Sequence, residues 1–228
     1  MEHVEQTPAA RTVLESGLRE LSLDEALAPR LAALAHLLAR WASRMNLTGH
    51  RTPEAIARRL ILDALALGAA LPTQPTSLAD LGSGAGFPGL PIAISHPSCK
   101  VLLVEARERR HHFQRAAVRT IGLVNVEARR GRIEEIEPTA HQVVVAQALA
   151  RPIEAVSMML RWVAPGGWLV LPRAAEADPL PAIPGLEDVR TTRYEVPAGG
   201  PSRSLWVARR PLDASSGPVV RTGRPPDL

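Results

Sequence analysis

Apolar side chains fall at Leu27, Leu31, Leu34, Leu38, Trp41 and Met45. The steps of four and three put all six on one face of a helix. Just ahead, Ser22-Leu23-Asp24-Glu25 reads as a capping box, in which hydroxyl and carboxylate each satisfy an amide left free by the first turn. Pro29 lies inside this stretch, so the helix either kinks or begins there. Thr52-Pro53-Glu54 marks a second helix start with proline at the first helical position, and Ile56, Leu60, Ala64 and Leu67 form its apolar stripe. Residues 1 to about 20 carry no comparable pattern and are expected to be partly mobile.

Beyond Pro72–Pro75 the period changes. Short apolar runs at 77–81, 100–105, 124–128, 142–146 and 168–171 read as strands. Between them lie helical stretches near 89–95, at Phe113, Ala117 and Ile121, and from Ile153 to Val163, the last ending at Pro165-Gly166-Gly167. Alternating strands and helices predict an α/β fold: a doubly wound, Rossmann-like, mostly parallel sheet covered on both faces. Thr191–Val196 and Ser204–Ala208 alternate well enough to add an antiparallel C-terminal edge, and the proline-rich Ala174–Glu187 reads as a loop. The expected organisation is an extension at 1–19, a helical cap at 20–72, a ligand-binding α/β domain at 73–210, and a disordered tail at 211–228.

Composition narrows the class. Hydrophobic residues make up 46% and charged residues 22%, which suits a globular chain. The single cysteine, Cys99, allows no internal disulfide and fits a reducing, cytoplasmic setting. Met1–Gln6 has no apolar core and does not read as a secretory signal, and no apolar run is long enough to cross a bilayer. Of 27 basic residues only Lys100 is lysine, and the formal net charge is +4. Arginine suits planar contacts with phosphates and bases, so an RNA partner is a candidate, although a GC-rich genome would also write arginine freely. Four tryptophans, two phenylalanines and one tyrosine are too few for extensive base stacking. His111 and His112 are adjacent and diverge on a helix, which makes a poor metal pair; solvent-facing side chains are expected, and no metal site is read.

The chemistry concentrates in Asp80-Leu81-Gly82-Ser83-Gly84-Ala85-Gly86-Phe87-Pro88-Gly89, a strand running into glycines that open a helix. Such a loop lets a ligand approach the backbone at the carboxyl edge of a parallel sheet. Two registers compete. Gly84 to Gly89 satisfies G-x-G-x-x-G, and Glu105 lies where a ribose-binding acid belongs, which is the reading of a nicotinamide-dependent oxidoreductase. In the other register Asp80 closes the strand and Gly82, Gly84 and Gly86 follow. That is the methyltransferase form, with Glu105 accepting both ribose hydroxyls of S-adenosylmethionine. The second fits better, because Phe87-Pro88 would crowd a pyrophosphate on the helix end.

These residues resemble the bacterial guanine-N7 methyltransferases of small-subunit ribosomal RNA, also called glucose-inhibited division protein B. Met45-Asn46-Leu47-Thr48, Leu62-Asp63-Ala64-Leu65 and above all Asp80 to Pro91 carry the likeness, with Gly131-Arg132-Ile133-Glu134-Glu135, Pro165-Gly166-Gly167 and the Tyr194–Ala208 ending. The resemblance implies S-adenosylmethionine as cofactor, held by Asp80, Gly82, Gly84, Gly86, Phe87 and Glu105, with Ile133 and Glu134 flanking the adenine. It also implies a small-subunit ribosomal RNA or ribosomal subunit as partner and a monomer with no membrane association. Leu60, Ala64, Gln147 and Pro172 depart from the family pattern; Gln147 stands where an arginine lining the cofactor or substrate pocket is expected.

Guanine N7 carries no proton, so its methylation needs no general base; positioning and water exclusion suffice. The product ring is cationic, which makes Asp63 the candidate for electrostatic stabilisation and Asn46 the candidate for positioning the base. Arg107, Arg109, Arg110, Arg115 and Arg119, with Arg40, Arg44, Arg51, Arg58 and Arg59, are candidate phosphate contacts. A non-catalytic RNA-binding protein that keeps the fold is the remaining alternative.

Overall fold

The computed structural model describes residues 8–147 and 151–212, so most of the expected C-terminal tail lies outside the described residues. Seven strands form one sheet in the order β3-β2-β1-β4-β5-β7-β6. Strands β1 (Ser77–Leu81), β2 (Lys100–Glu105), β3 (Val126–Arg130), β4 (His141–Ala146) and β5 (Val163–Ala174) run parallel, whereas β7 (Ser202–Arg209) lies antiparallel between β5 and β6 (Glu187–Glu195). The central strands are buried on both faces, as continuous apolar runs such as Val143–Val145 demand.

Helices α5 (Gly89–Ser95), α6 (Glu108–Ile121) and α7 (Pro152–Met159) cross between the strands. The N-terminal helices pack against the core formed by α5, α6 and one sheet face. Pro29 falls in the first turn of α2 (Ala28–Ala42), so the helix begins there without a kink. Thr52 accepts the Ala55 amide and caps α3 (Pro53–Ile56). Asp24, not the expected Ser22, does the capping upstream, accepting from the Ala26 amide of a short turn at Glu25–Leu27.

Three other expectations shift. Pro8–Glu20 is a helix, α1, although the pattern suggested none. Its Ala10, Leu14 and Leu18 are fully buried, and an alanine-sized group at Gly17 would collide with Leu62. The stretch between α3 and α4 (Leu62–Ala69) is a π turn, Ala57–Ile61. A π turn inserts one residue, so the core stripe becomes Ile56, Ile61 and Leu65, all essentially fully buried. Finally, α7 ends before the glycines and β5 starts at Val163, running through Pro165-Gly166-Gly167 with a register shift against β4.

Candidate active site at the carboxyl edge of the sheet

Two clefts open where β1, β2, β4 and β5 end. The first, of about 310 Å³, is lined by Gly82, Glu105, Arg107, Arg110, Ile133 and Glu134 among others. Glu105 ends β2 and is 5% exposed. Its carboxylate accepts the Gly84 amide at 2.9 Å and the Arg107 amide at 2.7 Å, and the Arg110 guanidinium stands 3.7 Å away. Two backbone donors therefore aim the acid while lone pairs remain for a ligand.

The glycine loop is braced from below. Asp80 is fully buried, and its Oδ2 accepts the Gly89 amide at 2.9 Å. Burial pushes its carboxyl up to about 7, against the Gly89 hydrogen bond, with the Glu105 charge adding to the rise. Gly86 has φ +85°, and a Cβ there would meet Leu90 at 2.4 Å. A Cβ on Gly89 would meet Leu103 at 2.3 Å and Asp80 Oδ2 at 3.0 Å. The Asp80–Gly89 bond ties the start of α5 to the end of β1, so the acid that opens the methyltransferase register holds the loop's far end.

Sequence reasoning missed the other brace. Gln114 on α6 is fully buried, and its Nε2 donates to Ser83 Oγ and to the Gly84 carbonyl, each at 2.8 Å. A lone polar residue on the otherwise apolar face of Phe113 and Ala117 was the available signal. His111 is buried, not solvent-facing, with its Nε2 3.2 Å from the Ala128 carbonyl; only His112 faces outward, near Glu108.

The second cleft, of about 300 Å³, is lined by Gln147, Pro172, Arg173, Tyr194 and Arg203 among others. A narrow extension joins Gln147 and Tyr194 to Leu60, Asp63, Ala64, Leu67, Phe87 and Pro88. Leu60, Ala64 and Leu67 border this extension, while Ala64 and Leu67 stay buried and Leu67 packs in the core with Ile61 and Leu65. Asp63 is 7% exposed and fully engaged on one side: Tyr194 Oη donates to its Oδ1 at 3.1 Å, and Arg203 Nη2 and Nε donate to its Oδ2 at 2.9 and 3.2 Å.

The structure therefore gathers the expected residues into two groups, Gly82, Glu105, Ile133 and Glu134 in one cleft, and Phe87, Gln147 and Asp63 around the other. Gln147 and Phe87 do not line the cleft of Glu105, and Asp80 and Gln114 lie beneath the loop as its support. Asn46 is exposed on the segment after α2 and lines neither cleft. Asp63, by contrast, lines the narrow extension of the second cleft.

The sequence profile of the family described as rRNA small subunit methyltransferase G matches residues 28–179. The ribosomal RNA small subunit methyltransferase G of Stenotrophomonas maltophilia is 39% identical over 163 residues, which cover 70% of this chain and 71% of that protein. Its counterpart in Chromohalobacter salexigens is 34% identical over 208 residues, covering 90% and 99%. Among solved structures, a putative O-methyltransferase from Klebsiella pneumoniae superposes with a TM-score of 0.56 at 16% identity, covering 80% of this chain and 90% of that one. The cofactor-bound Rv0187 from MTB gives 0.54 at 19% identity with the same coverage. At such identities these two share the Rossmann-like methyltransferase fold and nothing finer. The longer sequence matches go further, and the chain belongs to the rRNA small subunit methyltransferase G family.

Proposed function

We propose that this chain methylates N7 of a guanine in small-subunit ribosomal RNA, with S-adenosylmethionine bound in the Glu105 cleft and the base entering beside Gln147. The observation that carries the reading is the pair of adjoining clefts at one sheet edge, one ending in an oriented, buried carboxylate beside a glycine loop. The residues suit the cofactor: Glu105 keeps free lone pairs for a ribose diol, Ile133 offers an apolar wall for an adenine, and Gly82 leaves room for close backbone approach. Among the described residues the buried Asp80 Oδ1 and Gln114 Oε1 under the loop have no hydrogen-bond partner.

When bound, the cofactor supplies an electrophilic methyl group on a sulfonium. This chain's work is to hold the two partners in line and keep water out. In this reading Glu105 fixes the ribose, the Gln147 amide hydrogen-bonds the entering base, and Tyr194 and Arg203 form the cleft wall. The Asp63 carboxylate is paired with a cation, so its net field on a developing positive ring is reduced. We assign it the positioning of Tyr194 and Arg203, with any direct stabilisation secondary. Asn46 has a place here as an RNA contact outside both clefts. We take a monomer as the working unit, and ribosomal RNA as substrate supports the cytoplasm as the compartment.

The test is to incubate the protein and S-adenosylmethionine with small-subunit RNA from a strain lacking the gene, then map N7-methylguanosine by chemical cleavage. A new cleavage at one guanine is expected. Cofactor binding with no methylated guanine, on naked RNA and on assembled subunits alike, would reduce the chain to a cofactor-binding fold.

A further inference from the structure

The arginines of the N-terminal helices fall into two kinds. Arg51 donates to the Ala42 carbonyl at the end of α2, Arg58 pairs with Glu54 and with the Ala198 carbonyl, and Arg59 borders the narrow extension of the second cleft. Arg40 and Arg44 are different. Both are exposed, and among the described residues neither has a carboxylate within ion-pair distance. They flank a third cleft, of about 470 Å³, also lined by Trp41, Ser43 and Met45, with no acidic residue among the described residues of its lining. The helix dipole favours cations at this end, and Arg51 already serves a terminal carbonyl there.

The place of this cleft follows from α6. Arg30 near the start of α2 approaches the Ile121 carbonyl at 3.4 Å, while Trp41 at its end meets Phe113 edge-on with ring centroids 5.6 Å apart. Helix α2 thus runs antiparallel to α6, and its last turn lies at the sheet's carboxyl edge. Phe113 adjoins Gln114, the residue that braces the glycine loop. The third cleft therefore opens on the same side of the molecule as the two clefts of the active site. Trp41 packs partly against the core and meets Phe113 in a T-shaped pair, keeps part of its surface exposed in the cleft, and stands between two cations with no carboxylate partner among the described residues: an aromatic ring between two groups suited to phosphate.

We propose that Arg40, Trp41 and Arg44 form a second nucleotide site, which stacks an unpaired base of the substrate RNA on Trp41 and binds its flanking phosphates through the two arginines. The proposal rests on the RNA-methyltransferase reading and adds where the strand is held outside the reacting clefts. A base fits the volume, and a single-stranded segment is the ligand, because a paired base has no free face to offer.

The experiment measures binding of a small-subunit RNA transcript across a salt series, with S-adenosylmethionine binding measured in parallel by calorimetry. The double variant Arg40→Ala/Arg44→Ala should flatten the log–log salt slope by about 1.4, two single-strand phosphate contacts. Trp41→Leu should weaken RNA binding about tenfold with the slope intact, while Trp41→Phe keeps a ring and most of the affinity. Cofactor affinity should not move in any of them. An unchanged slope in the arginine pair, or equal RNA binding by Trp41→Leu and wild type, overturns the proposal. If the wild type methylates its guanine and the three variants do so with unchanged KM for RNA, the second site is wrong and the function stands. A wild type that neither binds nor methylates RNA overturns both.

Discussion

The Glu105 carboxylate is oriented by the Gly84 and Arg107 amides, so a ligand meets an acid already aimed into its cleft. Glu105→Ala should weaken S-adenosylmethionine by about 1.5–3 kcal/mol, the worth of hydrogen bonds to a charged group, roughly ten- to over a hundredfold by calorimetry. An unchanged dissociation constant removes Glu105 from the site. Asp80 answers to a different measurement. Its folded carboxyl titrates at about 7, far above the ordinary carboxylate range. Between about pH 4 and 7 the unfolded chain has lost this proton and the folded chain keeps it, so unfolding releases a proton and stability falls as pH rises. Asp80→Asn should remove that descent in denaturant titrations while still accepting the Gly89 amide. A wild type and variant with parallel pH profiles would show Asp80 ionised in the fold. Glu105 was expected at the cleft from its place at a strand end about 20 residues beyond the glycines, and it lines that cleft; Asp80 was expected to hold the cofactor, and it lies instead beneath the loop, bonded to the Gly89 amide. Gln114 was not legible, since nothing in a single polar residue on a helix says that it reaches back to the loop.

At the scale of elements, periodicity located β1, α5 and β2 to the residue, because each is bounded by glycine, proline or a sharp change in polarity. It failed where tertiary contact outweighs local pattern. Helix α1 is held by burying Leu14 and Leu18 against the helices that follow, a contact that no local reading contains. The π turn was equally hidden: a strict 3.6 period predicts the stripe Ile56, Leu60, Ala64 and Leu67, whereas the inserted residue adds Ile61 and Leu65 to the core and leaves Leu60 half-buried beside the cleft, with Leu67 still in the core. Strand β3 begins at Val126, two residues later than read; just ahead of it the Asn125 side chain donates to the carbonyls of Ala93, His96 and Cys99. The contact between α6 and the loop gives a prediction at this scale. Gln114→Leu leaves the Gly84 carbonyl without its side-chain donor, and should cost about 1–3 kcal/mol in stability. It should also weaken the cofactor through loop disorder, with the fold retained by circular dichroism. Equal cofactor affinity in variant and wild type would mean that the loop holds its shape without α6.

Across the whole molecule, the helical N-terminal region and the C-terminal hairpin meet at one buried polar contact. Asp63 on α4 takes hydrogen bonds from Tyr194 on β6 and Arg203 on β7, over sequence separations of 131 and 140 residues. Glu20 accepts the Ala198 amide and Arg58 donates to its carbonyl, so the turn between β6 and β7 is tied to the same region twice more. The active-site wall is therefore built from both ends of the described chain, and its shape depends on how they are joined. Burial, then the Asp63 charge, raises the Tyr194 hydroxyl well above its ordinary range, so it remains a donor at every working pH. Removing one partner of a buried ion pair costs about 3–5 kcal/mol. The Arg203 side chain is 32% exposed, so water offsets part of that, and Arg203→Ala should lose about 2–3 kcal/mol in denaturant unfolding. Asp63→Asn keeps the Tyr194 contact and should lose less. The double variant should be less destabilised than the sum of the two, since the second change removes a group that the first has stranded. Kinetics separate positioning from direct catalysis. If Asp63 acts by holding Tyr194 and Arg203, Asp63→Asn and Arg203→Ala should raise KM for RNA together, with cofactor affinity intact and the melting temperature lowered in both. If Asp63 instead stabilises the charged ring, Asp63→Asn alone should lower kcat beyond its effect on KM for RNA, and Arg203→Ala, which frees the carboxylate from its cation, should not follow it.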